Sequence, residues 1–149
     1  MIAVQSEEEA SAFIVENIEA RRPIWILGGG SNILFTKDFN GVVLKNEIMG
    51  REILHEDESE VIVRFGAGEN WHEIVLHCIE QGWGGIENLS LIPGCVGAAP
   101  IQNIGAYGVE IKNVLEKVET IHLSTGRPRL FSVEDCALGY RDSFFKRVG

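Results

Sequence analysis

Ile24-Trp25-Ile26-Leu27-Gly28-Gly29-Gly30-Ser31-Asn32-Ile33-Leu34-Phe35 is an apolar run, a glycine-rich break and a second apolar run. Four apolar residues in succession read as a strand, the glycines stop it, and Ile33-Leu34-Phe35 reads as another short strand. That order rules out the common dinucleotide fingerprint, in which the glycines open a helix. It also rules out a Walker A loop, since no Gly-Lys-Ser/Thr follows. Three glycines make positive φ cheap, so successive N–H groups can turn toward one point and form a nest for phosphate oxygens. Ser31 and Asn32 add side-chain donors. A plain structural turn is the competing reading of Gly28–Asn32.

Upstream, Ile2-Ala3-Val4 is a strand candidate. Ser6 followed by Glu9 opens a helix near 6–21, with Ala10, Phe13, Ile14 and Ile18 as its apolar stripe and Pro23 beyond its end. Downstream, Asp38-Phe39-Asn40-Gly41 is a turn and Val42-Val43-Leu44 a strand, so residues 1–49 read as a small β-α-β-β-β lobe. A second, larger α+β lobe is expected over 50–149. It begins with strands at Glu52–His55 and Val61–Phe65. A helix follows, capped by Asn70 with Glu73 three residues on, its stripe Trp71, Ile74, Val75, Cys78 and Ile79, and it ends at Gly82. Strands resume near Val118–Leu123, a turn falls at Thr125-Gly126, and Ser132–Cys136 reads as a short helical turn.

Between them lies Leu91-Ile92-Pro93-Gly94-Cys95-Val96-Gly97-Ala98-Ala99-Pro100-Ile101-Gln102-Asn103-Ile104-Gly105-Ala106-Tyr107-Gly108, which has no period. Residues this small let a flat ligand lie against the backbone. Gln102 and Asn103 each offer a donor and an acceptor to a heterocycle edge. A tight crossover between lobes explains the composition equally well. Tyr140-Arg141-Asp142-Ser143 holds either a surface ion pair or a guanidinium able to grip a carboxylate.

The chain has 149 residues, 13 basic and 22 acidic side chains and a net charge of −9. Residues 1–111 hold 6 of the basic and 17 of the acidic groups, so the excess negative charge is concentrated there. This balance argues against nucleic acid or an anionic membrane surface as a partner. The three cysteines, at 78, 95 and 136, fit neither a disulfide framework nor a zinc site, and point to a reduced, cytoplasmic setting. The four histidines show no ligand spacing, so no metal is expected. Glu56-Asp57-Glu58 reads as a solvated turn.

The ordered set GGGSN, GAGENWHEIV, IPGCVGAAPIQNIGAYGVE and GYRDSFFK resembles the UDP-N-acetylenolpyruvoylglucosamine reductase family, over Ile2 to Lys146. The resemblance implies a vanillyl-alcohol-oxidase-type (PCMH-like) flavin fold with FAD between two lobes. It implies that Gly28, Gly29, Gly30, Ser31 and Asn32 cradle the pyrophosphate of FAD. Ile92, Pro93, Gly94, Gly97, Ala98, Ala99, Gln102, Asn103, Gly105, Ala106, Tyr107 and Gly108 would run along the flavin, with Tyr140 close by. Arg141 matches the family's active-site arginine. The implied reaction uses NADPH and FAD to reduce the enolpyruvyl ether of a UDP-sugar, a cytoplasmic step of peptidoglycan precursor synthesis; no obligate protein partner is expected. The family's proton-donating serine and its partner glutamate would fall beyond Gly149. The chain therefore reads as truncated before the substrate domain and is expected to bind FAD without turning over. Ala98-Ala99 departs from members that have serines there. A non-catalytic flavin or nucleotide module, another oxidoreductase of the same flavin fold, and a ligand-free glycine-rich domain are the alternatives.

Overall fold

The computed structural model describes residues 1–148. Gly149, the last residue of the larger expected lobe, lies outside them. The chain opens with β1 (Ile2–Val4), α1 (Glu7–Ala20), β2 (Ile24–Leu27) and β3 (Val42–Asn46). These three strands form one parallel sheet in the order β1-β3-β2, with Leu44 of β3 opposite both Ile2 and Ile26. Ser6 caps α1 by accepting from the Glu9 N–H at 3.1 Å. The Glu9 carboxylate reaches back one residue further than a standard capping box, to the Gln5 N–H at 2.8 Å. The helix stops at Arg21, which adopts φ 50°, while the buried Asn17 amide donates to the Arg22 carbonyl at 2.7 Å. Ala10 and Ile14 pack on Val4 and Leu44 to make the first core cluster, with Phe13, Ile24 and Ile121 around it.

The Ile33–Phe35 strand does not form: among the described residues, 33–36 join no strand ladder, and Leu34 is 86% exposed. The physical reason lies in β2, which is the sheet's edge, and in its aromatics. Trp25 packs its ring on Phe35 and on Phe39, each at 5.6 Å, so this segment folds over the edge by side chains rather than by a ladder.

Gly50, at φ 142°, separates β3 from β4, and pairing changes there from parallel to antiparallel. β4 (Arg51–Glu56) and β5 (Val61–Phe65) form a hairpin whose turn is organised by Asp57; its carboxylate accepts from the Ser59 and Glu60 N–H groups. α2 (Trp71–Glu80) follows, capped by Asn70, which accepts from the Glu73 N–H at 3.2 Å. Trp71, Ile74, Val75 and Cys78 are buried as the stripe requires, whereas Ile79 is half exposed at its margin.

Trp71 and Val75 join Leu89, Ala99, Ile104 and Ile111 in the second core cluster. The Trp71 indole donates to the Leu89 carbonyl at 2.8 Å, so its one polar atom is satisfied inside that core. The aperiodic segment and its flanks hold short 3-10 helices, Glu87–Leu89, Val96–Gln102 and Ile111–Asn113, around a tight hairpin of β6 (Gly105–Ala106) and β7 (Val109–Glu110). A last hairpin joins β8 (Lys117–Ile121) to β9 (Pro128–Ser132), and α3 (Phe144–Val148) ends the described chain. The β8–β9 turn leans on α1, since a Cβ at Gly126 would sit 2.5 Å from Val15 Cγ2. Among the described residues, no helix is long and apolar enough to cross a membrane.

Candidate flavin site

Four stretches distant in sequence converge beside the sheet. The GAGEN turn at 66–70 runs along the chain at 47–50: Gly66 N–H donates to the Gly50 carbonyl and Gly68 N–H to that of Ile48, each at 2.8 Å. On its other side it meets the segment at 94–97. Gly97 N–H donates to Ala67 at 2.9 Å, Val96 N–H to Glu69 at 2.9 Å, and Trp71 N–H to Gly94 at 3.0 Å. The GGGSN loop then lies against Gly94 and Cys95. A Cβ at Gly29 would be 3.3 Å from Cys95 Sγ and 3.7 Å from Gly94 Cα, and one at Gly94 would be 3.5 Å from Ser31 Oγ.

Glu69 holds this junction. Its carboxylate, nearly buried, accepts from the Gly50 N–H and from the Arg51 guanidinium, both at 3.0 Å. Burial pushes its pKa upward, but the hydrogen bonds from Arg51 and Gly50 outweigh that and hold it below the usual carboxylate value.

A cavity of about 700 Å³ opens between these pieces, lined by Gly28 and Gly29 and also by Lys45, Asn46, Gly68, Asn70 and Cys95. Gly30 takes φ 74°; Gly28 and Gly29 do not need positive φ. Among the described residues, the N–H groups of Gly29, Gly30, Ser31 and Asn32 donate no hydrogen bond within the protein. The donor set facing a ligand at this loop is thus backbone amide. One ammonium joins it: Lys45, whose pKa is raised by its hydrogen bond to Glu47 at 2.5 Å. That set suits phosphate oxygens.

A second groove, about 500 Å³, runs between two tight turns. Tyr107 and Gly108 are the two turn residues of the β6–β7 hairpin, with φ 51° and 81°, the positive pair that a type I′ turn demands. Gly139 bridges Asp142, so Tyr140 and Arg141 form the second turn, and Arg141 takes φ 52° where a type II turn normally has glycine. The chain's only two tyrosines therefore stand at the mouth of one groove, 90% and 86% exposed. The Arg141 guanidinium crosses it to the Gly105 carbonyl at 3.0 Å. Arg141 does not pair with its neighbour Asp142, which is held by Arg147. Across the groove, Lys112 hydrogen-bonds Glu110 and lowers its pKa.

Gly94, Gly97, Ala98, Gly105, Ala106, Tyr107 and Gly108 all keep accessible surface, as do Ile92, Pro93 and Gln102. Two residues of this segment do not. Ala99 belongs to the second core cluster, and Asn103 is fully buried. The Asn103 amide donates to the Gly139 carbonyl at 2.8 Å and accepts from the Lys112 N–H at 3.2 Å. Both of these side chains lie inside the protein rather than on the accessible face of the segment. Sequence reading in turn passed over Lys45, Asn46, Gly68, Asn70 and Cys95. The glycines at 66 and 68, quoted above only within GAGENWHEIV, are the signal that could have found them.

Residues 1–130 match the FAD binding domain family. The chain belongs to that family. This FAD-binding domain is 56% identical over 130 residues to the UDP-N-acetylenolpyruvoylglucosamine reductase of Burkholderia cenocepacia (strain HI2424), covering 87% of the chain and 37% of that relative. It is 60% identical over 120 residues to the protein of the same name from Amoebophilus asiaticus (strain 5a2), covering 80% of the chain and 35% of the relative. Among solved structures it resembles the UDP-N-acetylenolpyruvylglucosamine reductase of Thermus caldophilus, with a TM-score of 0.68 and 29% identity over 95% of this chain and 49% of that one. The family resemblance and the flavin-fold class read from the sequence are thereby borne out. The FAD-binding domain spans little more than a third of the length of these curated relatives.

Proposed function

We propose that these residues hold FAD for the NADPH-dependent reduction of UDP-N-acetylglucosamine enolpyruvate to UDP-N-acetylmuramate, in peptidoglycan precursor synthesis. The supporting observation is the seating of the GGGSN loop against Gly94 and Cys95, with Gly28 and Gly29 lining a cavity and the N–H groups of residues 29–32 unused by the protein. Residues 1–49 and 50–149 are taken as the small and larger lobes flanking that cofactor. Gly28 to Asn32 would hold its pyrophosphate. The accessible residues of 92–108, with Tyr140, would border its ring. When bound, FAD supplies hydride transfer; the chain supplies position and charge.

Arg141 would place its guanidinium toward the carboxylate of the enolpyruvyl group. Negative charge grows there as the double bond is reduced, so this contact is stronger in the transition state than in the ground state. The 149 residues by themselves are expected to bind FAD without substrate-dependent consumption of NADPH.

The test is the visible absorption spectrum of the purified chain, followed by titration with FAD. A perturbed flavin spectrum that saturates at one equivalent supports the reading. A colourless chain that leaves added FAD unperturbed refutes flavin binding by these residues.

A further inference from the structure

We infer that Asn103 and Ser143 are positioning residues for Arg141: two buried side chains that clamp the Tyr140-Arg141 turn onto the 96–108 segment. This rests on the flavin-site reading above, because it assigns the clamp a role through Arg141.

Arg141 sits in the left-handed region, at φ 52°, where a residue with a Cβ is strained. Such a conformation persists only where surrounding structure over-determines it. Both ends of the turn supply that. At its start, the Gly139 carbonyl receives the Asn103 amide at 2.8 Å together with the Asp142 N–H at 3.2 Å. At its end, the Ser143 hydroxyl donates to the Ile101 carbonyl at 2.6 Å and accepts from the Lys146 N–H at 3.1 Å. Neither clamp has any exposed surface, so neither can touch a ligand. Both partners, Ile101 and Asn103, bracket the end of the 3-10 helix that leads into Gly105, the residue whose carbonyl receives Arg141. The clamps thus fix the reach of the guanidinium relative to the groove between Tyr107 and Tyr140.

A double-mutant cycle on the 149-residue chain, read by FAD titration, separates this role from simple stabilisation. Asn103→Ala would leave a buried N–H unpaired and could unfold the chain, so Ser143→Ala is the working variant, with its stability measured alongside. The Arg141 guanidinium also holds the Gly105 carbonyl of the segment proposed to border the flavin ring, so loosening its turn by removing that one hydrogen bond should weaken FAD binding about fivefold when Arg141 is present. In the Arg141→Met background the same change should matter less than about twofold. Equal weakening in both backgrounds, or none in either, overturns the inference.

A second readout does not need the flavin. Trypsin cleavage after Arg141 should accelerate about fivefold in Ser143→Ala at unchanged global stability, because the turn opens locally. An unchanged cleavage rate overturns the clamp. If the unmodified chain ignores FAD, the functional reading fails and the cleavage rate alone decides the clamp.

Discussion

The glycines of this chain fall into two groups that look alike in sequence and differ in what surrounds them. At Gly66, Gly68 and Gly97 an added Cβ would lie 2.6 Å from the Met49 carbonyl carbon, 2.8 Å from Glu47 Cα and 2.8 Å from Ala67 Cβ. Those positions are glycine because strands of backbone cross there at van der Waals contact. At Gly28 and Gly30 the nearest atoms are 3.8 and 4.0 Å away. Packing does not demand glycine at those two places. The first group therefore belongs to folding; in the second, Gly30 has its positive φ as a reason, and Gly28 is left for the phosphate-bearing ligand proposed above.

The comparison is broken most directly at Gly68. Its Cβ would strike the main chain at Glu47 and Ile48, which cannot rotate away as a side chain would. Gly68→Ala should cost about 3 kcal/mol in urea unfolding. A loss under about 1 kcal/mol would mean the crossing at 47–50 is loose, and the distinction between the groups would collapse.

Next in size is the carboxylate that holds the same crossing. Glu69→Ala leaves Arg51 without its partner and the Gly50 N–H unpaired, and should cost about 2 kcal/mol at pH 7. Its pH dependence has a definite sign. The folded-state pKa lies below the ordinary 4.5, so the stabilisation is complete above that pH and disappears as pH falls through the lower folded value. The stability gap between the unmodified chain and Glu69→Gln should narrow on acidification below about 4.5. A gap that widens there would reverse the assignment.

Gly30 stands between the groups. Space around it is open, but its φ of 74° strains any residue with a Cβ. Gly30→Ala should cost about 1 kcal/mol by backbone strain alone. Chemical denaturation measures it, and no change would mean the loop relaxes freely.

These contrasts also mark where sequence reading succeeded. Ser6 with Glu9 and Asn70 with Glu73 act within a single turn, so both helix starts were legible, as was the stripe Trp71, Ile74, Val75 and Cys78. Ile33–Phe35 has strand composition, yet a strand also needs an edge to pair with, and the parallel order β1-β3-β2 is fixed by residues far away. The crowding at Gly66 and Gly68 is non-local in the same way. For the site, residue types were legible and directions were not. Gln102 and Asn103 are adjacent amides, but Asn103, at φ 44°, turns inward to Gly139 and Lys112 while Gln102 keeps accessible surface. Nothing local separates them.

The smallest expected change in stability tests the most. Gly28 has ordinary φ, and a Cβ there would meet only the Cys95 side chain, its Cβ at 3.8 Å and its Sγ at 4.0 Å, an unforced contact. Gly28→Ala should thus leave stability within about 0.5 kcal/mol of the unmodified chain. Gly28 nonetheless lines the cavity proposed to take the pyrophosphate, so the new methyl would crowd a ligand approaching the loop. FAD affinity should fall about tenfold, the consequence of pushing phosphate oxygens beyond hydrogen-bond distance of one or two amides. Stability and affinity must separate for the argument to hold. If both fall together, Gly28 belongs with Gly68 as a packing glycine, and the loop's composition carries no information about a ligand. If stability holds while affinity drops, glycine at this position serves the cofactor and not the fold.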